Sequence, residues 1–493
     1  MTGAPRMEVL DRPDIQGLII RAYRELPAAR YSLLEIRNPG AFQMWLAERL
    51  RLGEITTSDQ RPDRLRRAFN IAFTASGLDK LGVDPSPAAT KHDGFGLEFR
   101  EGLAHPDRSR FLGDVDASDP DLWVWGGRTG QRSHRHIDCV CFIFADHDHD
   151  RGGGHDTLAA ASVRLRPEPD AAAIVHEIDA YLTPDNREHF GFRDGISQPT
   201  IRFTKRDYNI PADIRDLHVV EPGEFILGYE NENRHMPVSP AVTRERDRRN
   251  QLGPLMRRAG FGRRRAAAGL RDFGRNGTYV VMRQLRQDVQ GFRSFLESAA
   301  PNSRAAQERL AARMVGRWPN GTSLVLAPDR EPQVGDEHLN DFRYFPLDRH
   351  GFRCPIGSHV RRSNQRDSTA AVDGDTQALR RVNSHRLLRR GRVYEPGFDP
   401  VRPEGSERGL VFICMNADLR RQFEFVQQSW LNGARFGGLL DERDPLVGPG
   451  GAFTVQRPEG NENVSGLRQF VTVRGGAYFF MPGIRALHCL ADA

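Results

Sequence analysis

Three segments carry side chains whose types suit chemistry on a bound ligand. The stretch His189-Phe-Gly-Phe-Arg-Asp-Gly-Ile-Ser-Gln-Pro199 sets Asp194 between Gly191 and Gly195. Glycines on both sides permit tight turns and close approach, which suits a carboxylate pointed into a cavity to work as an acid or base. Taken alone, Asp-Gly is equally a turn signal. The run CPIGSHVRRSN, Cys354 to Asn364, holds a thiol, an imidazole and two guanidiniums. An imidazole ligates iron well when its second nitrogen is held by an acceptor, yet the chain has 16 histidines and spacing does not single out His359. A thiolate before proline, at Cys354-Pro355, is a rival iron ligand that would suit a sensor. RLLRRG, Arg386 to Gly391, groups three permanently charged guanidiniums. Two further constellations carry metal-ligating types: His134, His136, Cys139 and Cys141, and the run Asp146-His-Asp-His-Asp150. Neither has a familiar finger spacing, and an apolar strand and a solvated loop describe them as well.

GFRDG, Gly191 to Gly195, matches a G-x-x-D-G motif and continues as Ile196-Ser-Gln-Pro199. With it, in order, stand PGEFILGY (Pro222 to Tyr229), TYVVMRQLRQDV (Thr278 to Val289), ARMVGRWPNG (Ala312 to Gly321), CPIGSHVRRSN, RLLRRG, FEFVQQSWLN (Phe423 to Asn432), DPLVG (Asp444 to Gly448) and RGGAYFFMPG (Arg474 to Gly483), with DIQGLIIRAY and EFREGLA nearer the start. Over most of its length the sequence resembles the dye-decolorizing peroxidases, in their long fungal and cyanobacterial-like form. The resemblance implies haem b, one per chain, with His359 as the proximal ligand to iron and Asp194 and Arg389 as the catalytic pair. Arg390 is the alternative to Arg389, and Gly391 stands where some relatives carry Asn. It also implies an apolar pair over the haem at Leu410 and Phe412, and a propionate contact at Arg362. The carboxylate orienting His359 is expected from far along the chain, with Asp441 first and Asp418 and Asp444 as rivals. The implied reaction reduces hydrogen peroxide and, through a ferryl porphyrin radical, oxidises dyes, phenols and related aromatics. Dyes too bulky for a tight pocket would be oxidised at the surface through Trp430, Trp123, Trp125 or Tyr394. A haem-handling or iron-releasing role, and a non-enzymatic haem sensor, are the alternatives.

Tyr31 to Ile36 reads as a strand, Asn38-Pro39-Gly40 as a turn, and Phe42, Trp45, Leu46 and Leu50 as a helix face. Further strands are expected at Phe69 to Phe73 and Cys139 to Phe144, with a helix at Ala171 to Leu182. A comparable order returns later: a strand at Gly277 to Met282, a helix face of Val289, Phe292, Phe295 and Leu296, a strand at Gly409 to Cys414 and a helix from Asp418 to Leu431. This predicts an α+β protein of two ferredoxin-like halves, 1–215 carrying the GxxDG motif and 216–493 binding the haem. Leu410 and Phe412, two apart on a strand, share a face. Asn231 to Asn276 and Ser363 to Ser384 lack periodicity and read as long surface loops or insertions.

Bulk composition agrees with a globular chain: 493 residues, 38% hydrophobic and 28% charged. The net charge is +6, but only Lys80, Lys91 and Lys205 are lysines among 71 basic residues, and acids are interspersed. That pattern is a compositional bias rather than a phosphate-binding design, so no nucleic-acid partner is expected. No stretch approaches the roughly 20 apolar residues of a membrane span. The five cysteines are sparse and odd in number, and the N-terminus lacks a signal-like apolar core. A cytoplasmic monomer or homodimer acting on peroxide and aromatic reductants is the expectation.

Overall fold

The computed structural model describes residues 9–86, 94–128, 136–147, 156–259, 263–333, 338–395 and 407–492. Its first repeat runs β1 (Ala28–Ile36), α1 (Pro39–Arg51), β2 (Ala68–Phe73), β3 (Cys139–Ala145), α2 (Leu158–Leu165) and β4 (Ala172–Tyr181). Antiparallel pairing sets these strands in the order β2-β3-β1-β4, which is the ferredoxin-like arrangement. Asn38 caps α1, its side chain accepting from the Ala41 amide.

The second repeat opens with β5 (Thr278–Gln287), α3 (Val289–Ala299) and α4 (Arg304–Val315), and includes the short helix α5 (His359–Ser363). Strands β6 (Leu388–Arg389), β7 (Arg392–Tyr394) and β8 (Gly409–Asn416) follow. Wide helical turns over Arg420–Glu424 and Val426–Leu431 then lead to β9 (Val471–Met481) and α6 (Ile484–Ala491). Here the order is β9-β5-β8-β7, with β6 also on β8, so the topology of the first half recurs. The halves join edge to edge, Phe480 of β9 opposite Phe73 of β2 and Val393 of β7 opposite Tyr181 of β4. Because β5 also pairs with β8, the sheet closes on itself and both repeats lose their exposed edges. The expected join at 215/216 falls in the long connection between β4 and β5.

Alternation along the strands sorts residues into two cores. Tyr31, Phe142, Val280, Val411, Ile413 and Phe479 fill one face of the closed sheet. Ile71, Cys141, Val281, Cys414 and Phe480 face the other way, against Phe42, Leu46, Leu165 and Leu487 of the covering helices.

Two expectations are corrected. Residues 172–181 form β4, not a helix, and the helix is Leu158–Leu165 just before it. Three alanines at the start of the expected segment suit a helix, but β4 lies beside β1 over its full length, Ser32 Oγ donating to Glu177 at 2.7 Å and Arg30 pairing with Asp179 at 2.6 Å. Tertiary pairing outweighs local propensity here. The stretch 231–276 is likewise no unstructured loop, since Ala241–Thr243, Pro254–Ala259 and Arg263–Asp272 form a three-stranded antiparallel sheet. Of the stretch 363–384, Thr376–Asn383 is helical.

Candidate active site

On the outer face of β5 and β8 lies a cavity with, mouth included, about 2000 Å³ of empty space. His359, Asp194, Arg389, Leu410 and Phe412 all line it. Five of the six residues singled out in the sequence thus meet at one place, although they come from a loop, a helix start and two strands.

His359 begins α5. Its Nδ1 lies 2.9 Å from Asp444 Oδ2, and the Asp444 carboxylate is fully buried. The other carboxylate oxygen, Oδ1, accepts from the Leu446 and Val447 amides at 2.9 and 3.0 Å, so the acceptor is fixed before it touches the ring. Burial alone would lower the imidazole pKa, but the Asp444 charge and hydrogen bond outweigh it and hold His359 above its ordinary value. For Asp444, burial pushes up, and His359 with the loop amides brings the carboxyl below its usual range. With Nδ1–H donated to Asp444, Nε2 keeps a lone pair for a ligand in the cavity. The expected acceptor, Asp441, is instead 91% exposed at φ 53° and pairs with Arg443. Its rival Asp418 accepts from the Arg421 amide.

Asp194 is carried by a loop held from within. The Glu188 carboxylate accepts from the amides of Phe190 and Phe192, each at 2.9 Å, and from Gln287 Nε2 of β5. The Asp194 amide donates to Asn186 O at 2.8 Å, and Gly191 and Gly195 take φ of 96° and 79°, a region that favours glycine. Asp194 Oδ1 stands 3.2 Å from Arg389 Nη2. Gln198 Oε1 accepts from the Arg389 amide at 3.0 Å, tying the aspartate loop to β6. Arg390, the alternative, points away and donates to the carbonyls of Leu18 and Ile19. Leu410 and Phe412 project into the cavity while Val411 between them and Ile413 after them are buried in the opposite core.

Glu188, Gln287 and Gln198 were not foreseen. Only the nearness of Glu188 and Gln198 to Asp194 in sequence could have suggested two of them.

Arg362 is corrected. Its side chain is buried outside the cavity, donating to the carbonyls of Gly357, Trp430, Gly433 and Glu442, and its guanidinium carbon lies 4.9 Å from the Phe436 ring centroid. No N–H pair is left over for a propionate. Arg362→Ala would strand those carbonyls, and a loss of about 3–5 kcal/mol in unfolding free energy is expected from chemical denaturation. Unchanged stability with lost ligand binding would show that Arg362 acts on the ligand instead.

Cys354 also lies apart, its thiol packed among Trp318, Phe342 and Tyr344 and pushed by burial up to about 11. It does not line the cavity, so the thiolate-ligand reading is set aside. Trp430, Trp123, Trp125 and Tyr394 are 9%, 4%, 0% and 1% exposed, so none of them offers a surface site to a bulky dye. His134 and residues 148–150 of the other two constellations lie outside the described residues. Cys139 and Cys141 are buried in β3. No cluster of three or more metal-ligating side chains occurs among the described residues.

An imidazole with a buried carboxylate behind it, and an acid paired with a guanidinium, thus line one cavity on a duplicated ferredoxin-like frame. No protein-family model matches the chain. A multifunctional dye peroxidase of Amycolatopsis sp. is 35% identical over 62% of this chain and 61% of its own. A dye-decolorizing peroxidase of Auricularia auricula-judae is 26% identical over 97% and 86%. A solved dye-decolorizing peroxidase in complex with 2,6-dimethoxyphenol superposes with a TM-score of 0.73 at 23% identity, covering 98% of this chain and 100% of that one. In sequence and in fold the chain is thus similar to dye-decolorizing peroxidases.

Proposed function

We propose that the cavity holds haem b on His359 and that the protein uses hydrogen peroxide to oxidise aromatic compounds, phenols and dyes among them. The observation that carries this reading is the Asp194–Arg389 pair at 3.2 Å on the cavity that His359 also lines. A protein that only stores, senses or strips haem has no need of an acid and a fixed cation facing the same space.

The residues fit the cofactor. His359 presents one nitrogen, Asp444 sets its orientation, and Leu410, Phe412, Leu446 and Val447 give the cavity apolar walls. Bound there, the haem would supply the redox chemistry. The chain's own part is proton and charge handling. Asp194 takes a proton from one peroxide oxygen and delivers it to the other, so that the departing oxygen leaves as water. Arg389 remains cationic throughout, stabilises the negative charge that builds on oxygen, and holds the carboxylate in place. Through the amides of Phe190 and Phe192, Glu188 keeps that carboxylate from swinging away.

Asp444→Asn keeps the shape but removes the charge behind His359. Retention of haem, followed as its transfer to excess apomyoglobin, is expected to weaken about 10- to 100-fold. Unchanged retention would take Asp444 out of the account. The test of the function itself is turnover by purified, haem-loaded protein given peroxide and 2,6-dimethoxyphenol or an azo dye. Oxidation of at least one is expected. No oxidation of any phenol or dye would refute the peroxidase reading.

A further inference from the structure

With Arg362 committed to the scaffold, a different arginine stands where an anion would be met. Arg386 lines the cavity and is 5% exposed. Its Nη1 reaches Leu217 O at 3.3 Å, while Nη2 is buried with no hydrogen-bond partner. Among the described residues no carboxylate forms an ion pair with it. Burial, then the neighbouring cations Arg366 and Arg389, bring its pKa down to about 9, a sign of how poorly its present surroundings satisfy the charge.

The cavity lining offers a second unsatisfied group. Asn364 lines the cavity with Oδ1 buried and unpartnered, while Nδ2 sits 3.3 Å from Ser197 Oγ. Amide oxygen and nitrogen exchange places when the side chain turns over. In that orientation Oδ1 would accept from the Ser197 hydroxyl and Nδ2 would be left as a free donor. A buried guanidinium nitrogen without a partner is costly, and charge-assisted pairing with an acceptor removes that cost.

We infer that Arg386, with Asn364 as a second donor on the cavity lining, anchors a carboxylate side chain of the tetrapyrrole bound in this cavity. The inference rests on the haem reading, and the experiment separates the two. Apoprotein is loaded in parallel with haemin and with haemin dimethyl ester, which keeps the ring and iron but lacks free carboxylates. Release to excess apomyoglobin is then followed by absorption. The wild type is expected to hold haemin about 10- to 100-fold more tightly than the ester. Arg386→Leu should abolish that preference and Arg386→Lys keep part of it, with the same absorption bands in all complexes because His359 is untouched.

Equal retention of haemin and ester by the wild type would overturn the inference while leaving the haem site intact, and it requires no variant to fold. A full preference for haemin in a folded Arg386→Leu protein would overturn it too. Failure of the wild type to take up either compound would instead remove the haem reading on which it rests.

Discussion

Asp194→Ala is expected to lower peroxide-dependent oxidation of a phenol about 10²- to 10⁴-fold, the range for losing a positioned general acid–base group. The loss should appear in the reaction with peroxide, measured by rapid mixing, and not in haem content, since Asp194 is not the ligand. Structure gives reasons to expect the upper part of that range. The loop holding Asp194 is tied down by Glu188 and Asn186, which fixes its carboxylate beside Arg389. Glu188 also lines the cavity, but its carboxylate is occupied by two amides and Gln287. Full activity in a correctly folded, haem-replete Asp194→Ala protein would mean that the proton moves by another route.

Arg389→Leu is expected to lower the same rate about 10²- to 10³-fold, the cost of deleting one electrostatic donor at a developing oxyanion. Because Arg389 pairs with Asp194 at 3.2 Å, the two losses should not add. The double variant is expected to fall well short of the product of the single effects. Arg389→Lys restores the charge but not the planar fork, so it should recover only part of the rate. If the two losses instead multiplied in full, the residues would be acting independently and the ion pair would be incidental to the chemistry.

The frame was legible in the sequence wherever strands alternate apolar residues in two cores. Segments such as Tyr31 to Ile36, Cys139 to Phe144 and Gly409 to Cys414 sit inside the observed strands. It was illegible where composition imitates another state. The run AAAIVHEIDAY looks helical through its alanines but becomes β4 because β1 needs a partner at its edge. The arginines between 241 and 272 hide two-residue periodicity, since charged side chains suit either face of an exposed sheet.

At the site, resemblance named the residues and geometry sorted them. Asp441 and Asp444 are three apart, and no spacing rule tells which turns inward. A left-handed backbone at Asp441 sends it to solvent, and the turn that follows Asp444 gives its carboxylate two amides and His359. Arginine is harder still in a chain so rich in it. Arg362, Arg386, Arg389 and Arg390 are chemically equivalent in sequence, yet two are spent on backbone carbonyls and two line the cavity. That division depends on which carbonyls the tertiary fold brings within reach, and such information is not local.

The most direct measurement is titration of the purified apoprotein with haemin, read by absorption, in the wild type and in His359→Ala. Binding of close to one equivalent by the wild type, with histidine-ligated bands that His359→Ala fails to develop, is the expected result. A wild type that binds no haemin, or a His359→Ala protein with an unaltered spectrum, would contradict the assignment of this cavity.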